Sequence, residues 1–131
     1  MAKSWMDALR AKDREQLQKL AALPFKLSEP AEYPKCDPVE SATREDVPNT
    51  LACLLDDKLF MEELSAQPEP VTEVISGSTL PAWAASVEPE LARGTLVLVR
   101  LPGNGVSYQL LVLLTTAGVS GVWKLAKYDP N

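Results

Sequence analysis

Histidine is absent from the 131-residue sequence. Its absence removes the commonest general base near neutral pH and the commonest zinc ligand, and it excludes catalytic triads of the Ser-His-Asp and Cys-His types. Glycine is scarce, with six residues that form neither a phosphate-binding loop nor a dinucleotide fingerprint, so no nucleotide cofactor is expected. Two cysteines seventeen positions apart do not make a metal site, and no metal is expected either. Thirteen Lys and Arg against eighteen Asp and Glu leave a net charge of −5, with no basic block. Nucleic acid and anionic membrane surfaces both demand a clustered basic surface, and neither is an expected partner. No apolar run reaches transmembrane length, so no membrane insertion is expected. The N-terminal segment around Trp5 and Met6 carries Asp7, Arg10, Lys12 and Asp13, which is not the pattern of a signal peptide.

What is present points to one folded domain spanning residues 1–131, with 46% hydrophobic residues. Its organising stretch runs from Arg93 to Tyr128. Thr95 to Leu101 (TLVLVRL) is β-branched and aliphatic, and ends at Pro102-Gly103-Asn104-Gly105, where Asn-Gly supplies the positive φ angles of a tight hairpin. A second run from Val106 to Thr116 turns at Ala117-Gly118 into a third, Val119 to Tyr128. The expectation is a three-stranded β-meander over residues 93–128.

Successive strand side chains point to opposite faces. Val97, Val99 and Leu101 therefore lie opposite Leu96, Leu98 and Arg100, and Tyr108, Leu110, Val112 and Leu114 opposite Gln109, Leu111, Leu113 and Thr115. In the third run Val119, Trp123 and Leu125 alternate with Ser120, Val122, Lys124 and Ala126. Both faces of the middle strand are apolar. One face should meet helices, and the other needs a further layer or a second subunit.

Ahead of the meander, Ser4 to Ala22 reads as an amphipathic helix, with Ser4 and Asp7 as a capping box and Pro24 as its stop. Phe25-Lys26-Leu27 reads as a short edge strand, and residues 28–47 as a long Pro-rich loop. Pro48 suits the first turn of a second helix that runs to Leu64 and breaks near Asp56-Asp57. Val71 to Ser76 is strand-like, and Leu80 to Glu90 is ambiguous between a helical turn and an irregular edge segment. Helices segregated on an antiparallel sheet define an α+β fold.

Three groups of residues are candidates for chemistry. A Cys36–Cys53 disulfide would pin the polar loop to the second helix, contribute about 3 kcal/mol and imply an extracytoplasmic compartment. The other reading is two reduced thiols in a cytoplasmic protein. Asp56, Asp57, Glu62 and Glu63 would suit acid/base work or a cation, but contiguous carboxylates more simply form a solvated helix end. Trp123, Tyr108, Trp83 and Tyr33 would line a small-molecule pocket, or they fill an ordinary core.

The order of elements, the stretch Trp5-Met6-Asp7-Ala8-Leu9 through Pro24-Phe25, and the C-terminal Gly121-Val122-Trp123-Lys124-Leu125 together resemble the NTF2-like (SnoaL-like, cystatin-type) superfamily. The resemblance implies a cone, in which an N-terminal helix and a second helix pack on a strongly curved antiparallel sheet. It also implies homodimers formed through the outer face of the sheet, and enzymes that place Asp, His or Tyr inside the cone. This chain has no His, and no Asp or Tyr aligns with an active-site position. The resulting expectation is a non-enzymatic domain whose cone binds a small apolar ligand. The rivals are an isomerase or dehydratase working through a group such as Tyr108 or Asp56, and a protein-interaction module of accessory or immunity type. The last predicts a filled cone.

Overall fold

The computed structural model describes residues 2–29, 38–67, 69–103 and 105–128. Helices α1 (Ala2–Arg10) and α2 (Arg14–Leu20) lead into strand β1 (Ala21–Ser28) and the short β2 (Val39–Ser41). A 3-10 turn at Arg44–Asp46 opens the helical series α3 (Val47–Thr50), α4 (Ala52–Leu55) and α5 (Lys58–Ala66). Strand β3 (Val71–Ile75) and an irregular 3-10 segment, Ala82–Ala92, precede β4 (Thr95–Leu101), β5 (Val106–Thr115) and β6 (Gly118–Tyr128). The fold is α+β.

The six strands lie in the order β2-β1-β6-β5-β4-β3. The expected meander is present, with β5 paired to both β4 and β6 in antiparallel register. The sheet as a whole is mixed, because β1 runs parallel to β6. Phe25-Lys26-Leu27 is consequently no edge strand: it sits between β6 and β2, which takes the edge. Residues 28–47 are also more ordered than a loop where they are described, holding the end of β1, all of β2 and the 3-10 turn.

The single helix expected over Ser4–Ala22 is two helices. Lys12 takes a left-handed backbone with φ of 54°, which ends α1, and Asp13 starts α2 by accepting a hydrogen bond from the Gln16 amide on its side chain at 3.1 Å. The Ser4–Asp7 capping box is not formed, because α1 already begins at Ala2 and Asp7 pairs with Arg10 at 2.8 Å instead. The break near Asp56-Asp57 is where it was expected, and Pro48 occupies the first turn of α3.

Arg10 ties the end of α1 to the end of α5. Its Nε donates to the Leu64 carbonyl at 2.9 Å and an Nη to the Gln67 carbonyl at 3.0 Å. The Leu64 carbonyl also accepts from the Gln67 amide at 3.3 Å, so Arg10 adds a charged donor to the capped end of α5. Arg10→Ala should cost about 1.5–3 kcal/mol in urea unfolding. Arg10→Lys should recover less than half of that, because an ammonium lacks the planar fork; full recovery would show that charge alone matters.

The inner face of the sheet carries Val97, Val99, Leu101, Tyr108, Leu110, Val112 and Val122 into one core with Trp5 and Leu9 of α1, Leu17 of α2, and Phe60 and Leu64 of α5. A register shift between Leu113 and Leu114 sets Val119 against Leu114 and Gly121 against Leu113. Such a bulge inserts one residue and reverses strand parity beyond it. Val119 therefore joins Val122 on the inner face, whereas strict alternation groups it with Trp123.

The outer face is closed by the chain itself. Ala84 and Val87, with Leu80, Trp83 and Leu91 at their flanks, pack on Leu96, Leu98, Leu111, Leu113 and Trp123. Those four leucines are at most 1% exposed in the single chain. The further layer that the apolar outer face demands is thus the segment around residues 80–92, and burying that face requires no second subunit.

Candidate functional site

One ionic cluster lies inside the inner core. Strand β6 points Lys124 inward beside Leu110, its cross-strand partner, at a position whose neighbours Val122 and Ala126 are apolar. Its side chain is 1% exposed. The Nζ lies 2.6 Å from Asp57 Oδ2 and 3.5 Å from Glu29 Oε2. The rings of Phe60 and Tyr108 flank it, with centroids 5.2 and 5.4 Å from the nitrogen. Those rings meet edge to face at 5.3 Å.

Each element supplies its member for a local reason. Asp57 is the N-cap of α5: its Oδ1 accepts from the Phe60 amide at 3.2 Å, which leaves Oδ2 for Lys124. Phe60, one turn into the same helix, is carried against the same ammonium. Glu29 follows β1, whose parallel pairing with β6 sets Ser28 beside Trp123, one residue from Lys124. Buried charges persist only when paired and hydrogen-bonded, and here one ammonium is held by two carboxylates and two aromatic faces. The arrangement locks three elements together. To act on a substrate, the ammonium would have to be reached from outside, and among the described residues none of four surface grooves is lined by Lys124, Tyr108, Phe60 or Trp5.

The residues singled out from sequence are spread over both faces. Tyr108 is in the inner core at 2% exposure. Trp123 and Trp83 are on the other side of the sheet. The Trp123 ring folds back over Gly121, where a Cβ would come within 2.8 Å of it, and it borders a groove of about 270 Å3 with Lys26, Val39 and Glu40. Trp83 donates from Nε1 to Gln109 Oε1 at 2.7 Å. Tyr33 and Cys36 lie outside the described residues. Cys53 packs half-buried against the inner core, and among the described residues no cysteine is a free thiol.

Of the four carboxylates read as a solvated helix end, Asp57 departs from that reading: its side chain is 9% exposed and ion-paired, whereas Asp56 is exposed. The rival pair Tyr108 and Asp56 is not assembled, one being in the core and the other on the surface. Lys124 and Glu29 were not singled out from the sequence. The available signal was a lysine in phase with Val122 and Ala126 on a strand with two apolar faces. Among the described residues, no group of three or more acidic or cysteine side chains is placed to hold a metal ion.

No family model and no curated protein matches the chain. Solved structures similar to it include a proposed ketosteroid isomerase from Kribbella flavida, with a TM-score of 0.47, 14% identity, and coverage of 99% of this chain and 78% of that one. An NTF2-like protein from Burkholderia xenovorans has a TM-score of 0.46 and 12% identity over 96% of this chain and 86% of its own. An NTF2-like protein of unknown function from Cytophaga hutchinsonii has a TM-score of 0.40 and 10% identity over 97% and 85%. Among the described residues, no helix is long and apolar enough to cross a membrane.

Proposed function

We propose that this chain is a non-enzymatic domain of NTF2-like type that works as a protein-interaction module, its cone serving as a scaffold. The observation that carries this reading is the filled interior. Trp5, Phe60, Tyr108 and Lys124 occupy the space between helices and sheet at 0–2% exposure, and Lys124, the one charged residue of these four, is engaged with Asp57 and Glu29. An apolar ligand would have to displace aromatic rings and expose an ion cluster to enter. A catalytic reading meets the same obstacle: among the described residues none of the four grooves is lined by Tyr108 or Lys124, and of the cluster only Asp57 borders one, beside Cys53 and Leu59. The Cys36–Cys53 crosslink belongs to the same proposal: it would pin residues 28–47 to α4 and place the domain in an oxidising, extracytoplasmic compartment.

Native mass spectrometry of the protein purified from its own host, without reductant, tests the reading. The expected spectrum holds this chain with a second polypeptide in fixed ratio, no small-molecule adduct, and a chain mass lower by the two hydrogens of a disulfide. A small-molecule adduct that survives desalting and is lost on Tyr108→Ala would overturn it in favour of ligand binding in the cone.

A further inference from the structure

We infer that the free edge of β3 is a self-pairing surface, along which a second copy of this chain extends the sheet across a two-fold axis through Thr72. The inference is independent of the proposed function.

An open sheet has two edges. At one, β2 is three residues long. At the other, β3 is five residues long, pairs on one side with β4, and leaves Val71 60% and Val74 69% exposed. These are the most exposed large hydrophobic residues among those described. No lysine, proline or bulge interrupts Val71–Ile75, although these are the usual devices that blunt an edge.

The strand is complementary to itself when reversed. Thr72 pairs with Val99 and Val74 with Val97, so both share the inner face with the helices, while Glu73 shares the outer face with Leu98. At the start of the strand on the inner side lies a groove of about 330 Å3 lined by Lys3, Met6, Glu69, Pro70 and Thr72, among others. At its other end Val74 projects on the same face, 69% exposed among the described residues. The strand thus carries a recess at one end and an apolar knob at the other. A two-fold antiparallel pairing brings knob to recess twice, which is the condition for an isologous contact.

Register follows from charge and facing. If inner face is to continue into inner face, a residue must oppose one of its own parity. Centring the axis on Glu73 would set Glu73 against its own copy, a like-charge apposition that destabilises a pair. Centring it on Val74 would set Glu73 against Ile75 and carry Val74 away from the groove. Centring it on Thr72 sets Val74 against Pro70 at the mouth of the groove and Glu73 against Val71, and keeps each Glu73 with its own Arg100, 3.3 Å away. Pro70 has no amide hydrogen to lose there. The contact is small, so association belongs at the weak end of protein interfaces, and the net charge of −5 on each copy makes it tighter in higher salt.

Sedimentation equilibrium is the first test, with a monomer–dimer equilibrium expected at high micromolar concentration. Val74→Lys should raise the dissociation constant about tenfold or more, because two valines leave the interface. Crosslinking fixes the register: opposed residues in an antiparallel pair lie within disulfide reach. Thr72→Cys should oxidise to a covalent dimer, while Val71→Cys and Val74→Cys should not. Crosslinking at Val74 instead of Thr72 would overturn the register and with it the inference. A chain that stays monomeric to millimolar concentration and yields no Thr72→Cys dimer would also overturn it, including where β3 amides are protected by a bound foreign strand.

Discussion

Replacing Lys124 with methionine should lower the unfolding free energy by about 3–5 kcal/mol. The side chain is 1% exposed, and it is the shared cation of Asp57 at 2.6 Å and Glu29 at 3.5 Å. Methionine keeps most of the volume between Phe60 and Tyr108, so packing changes little and the loss is electrostatic. Two carboxylates, 9% and 5% exposed, would then be left in the core without the ammonium that offsets them. A second variant separates the charge from the site. Lys124→Met combined with Asp57→Asn and Glu29→Gln removes all three charges together, and neutral isosteres of a buried ionic group are often close to neutral in stability. Asparagine also remains a good N-cap, so α5 keeps its first hydrogen bond. The triple variant should therefore be more stable than Lys124→Met alone, a non-additivity expected of groups in one network. Urea unfolding of both variants decides the matter. If Lys124→Met falls within about 1 kcal/mol of the parent, a range ordinary for surface positions, the cluster is not what joins β6, α5 and the end of β1.

The parts of this fold legible in the sequence are those set by neighbours along the chain. Strands β4 and β5 and the turns that bound them were readable from β-branched, aliphatic runs and from Gly105 and Gly118, both at positive φ. The break at Asp57 was readable because a polar pair interrupts the leucine spacing. What was not legible depends on distant partners or on one backbone angle. Nothing in the spacing of α1 and α2 announces that Lys12 turns left-handed, since the apolar stripe of Leu9 and Leu17 runs through the corner unbroken. The parallel pairing of β1 with β6 joins positions near Lys26 and Gly121, a closure that local pattern does not encode. The bulge on β6 carries Val119 to the inner face with Val122, away from the Trp123 side on which strict alternation groups it. The ionic cluster was the least legible, because Glu29, Asp57 and Lys124 each look like surface residues until three elements bring them together. The covering of the outer face lay in the most irregular segment, where Ala82–Ala92 carries Pro89 inside its 3-10 turns and shows no clear period.

Gly118→Ala should cost about 3–5 kcal/mol, far more than Gly105→Ala at about 1–2 kcal/mol. Both glycines have positive φ, 80° at Gly105 and 134° at Gly118, where a side chain is strained whatever the surroundings. Their surroundings differ completely. A Cβ at Gly105 would meet nothing within 4 Å, whereas one at Gly118 would lie 2.3 Å from the Leu20 carbonyl oxygen and 3.3 Å from the Ala21 carbonyl carbon. Those atoms are backbone at the corner where α2 passes into β1, so they cannot swing aside as a side-chain tip would. The turn is pinned on its other side as well: Thr115 Oγ1 donates to the Gly118 carbonyl at 3.0 Å and accepts from the Ala117 amide at 3.2 Å. Relieving the contact would mean moving either the β5–β6 turn or the start of β1, and Ala21 is paired with Val119 of β6 and fully buried. The difference between the two variants in urea unfolding therefore isolates packing from backbone strain. Equal costs would mean that β1 does not close against the β5–β6 turn, and would undo the parallel pairing through which Glu29 reaches Lys124.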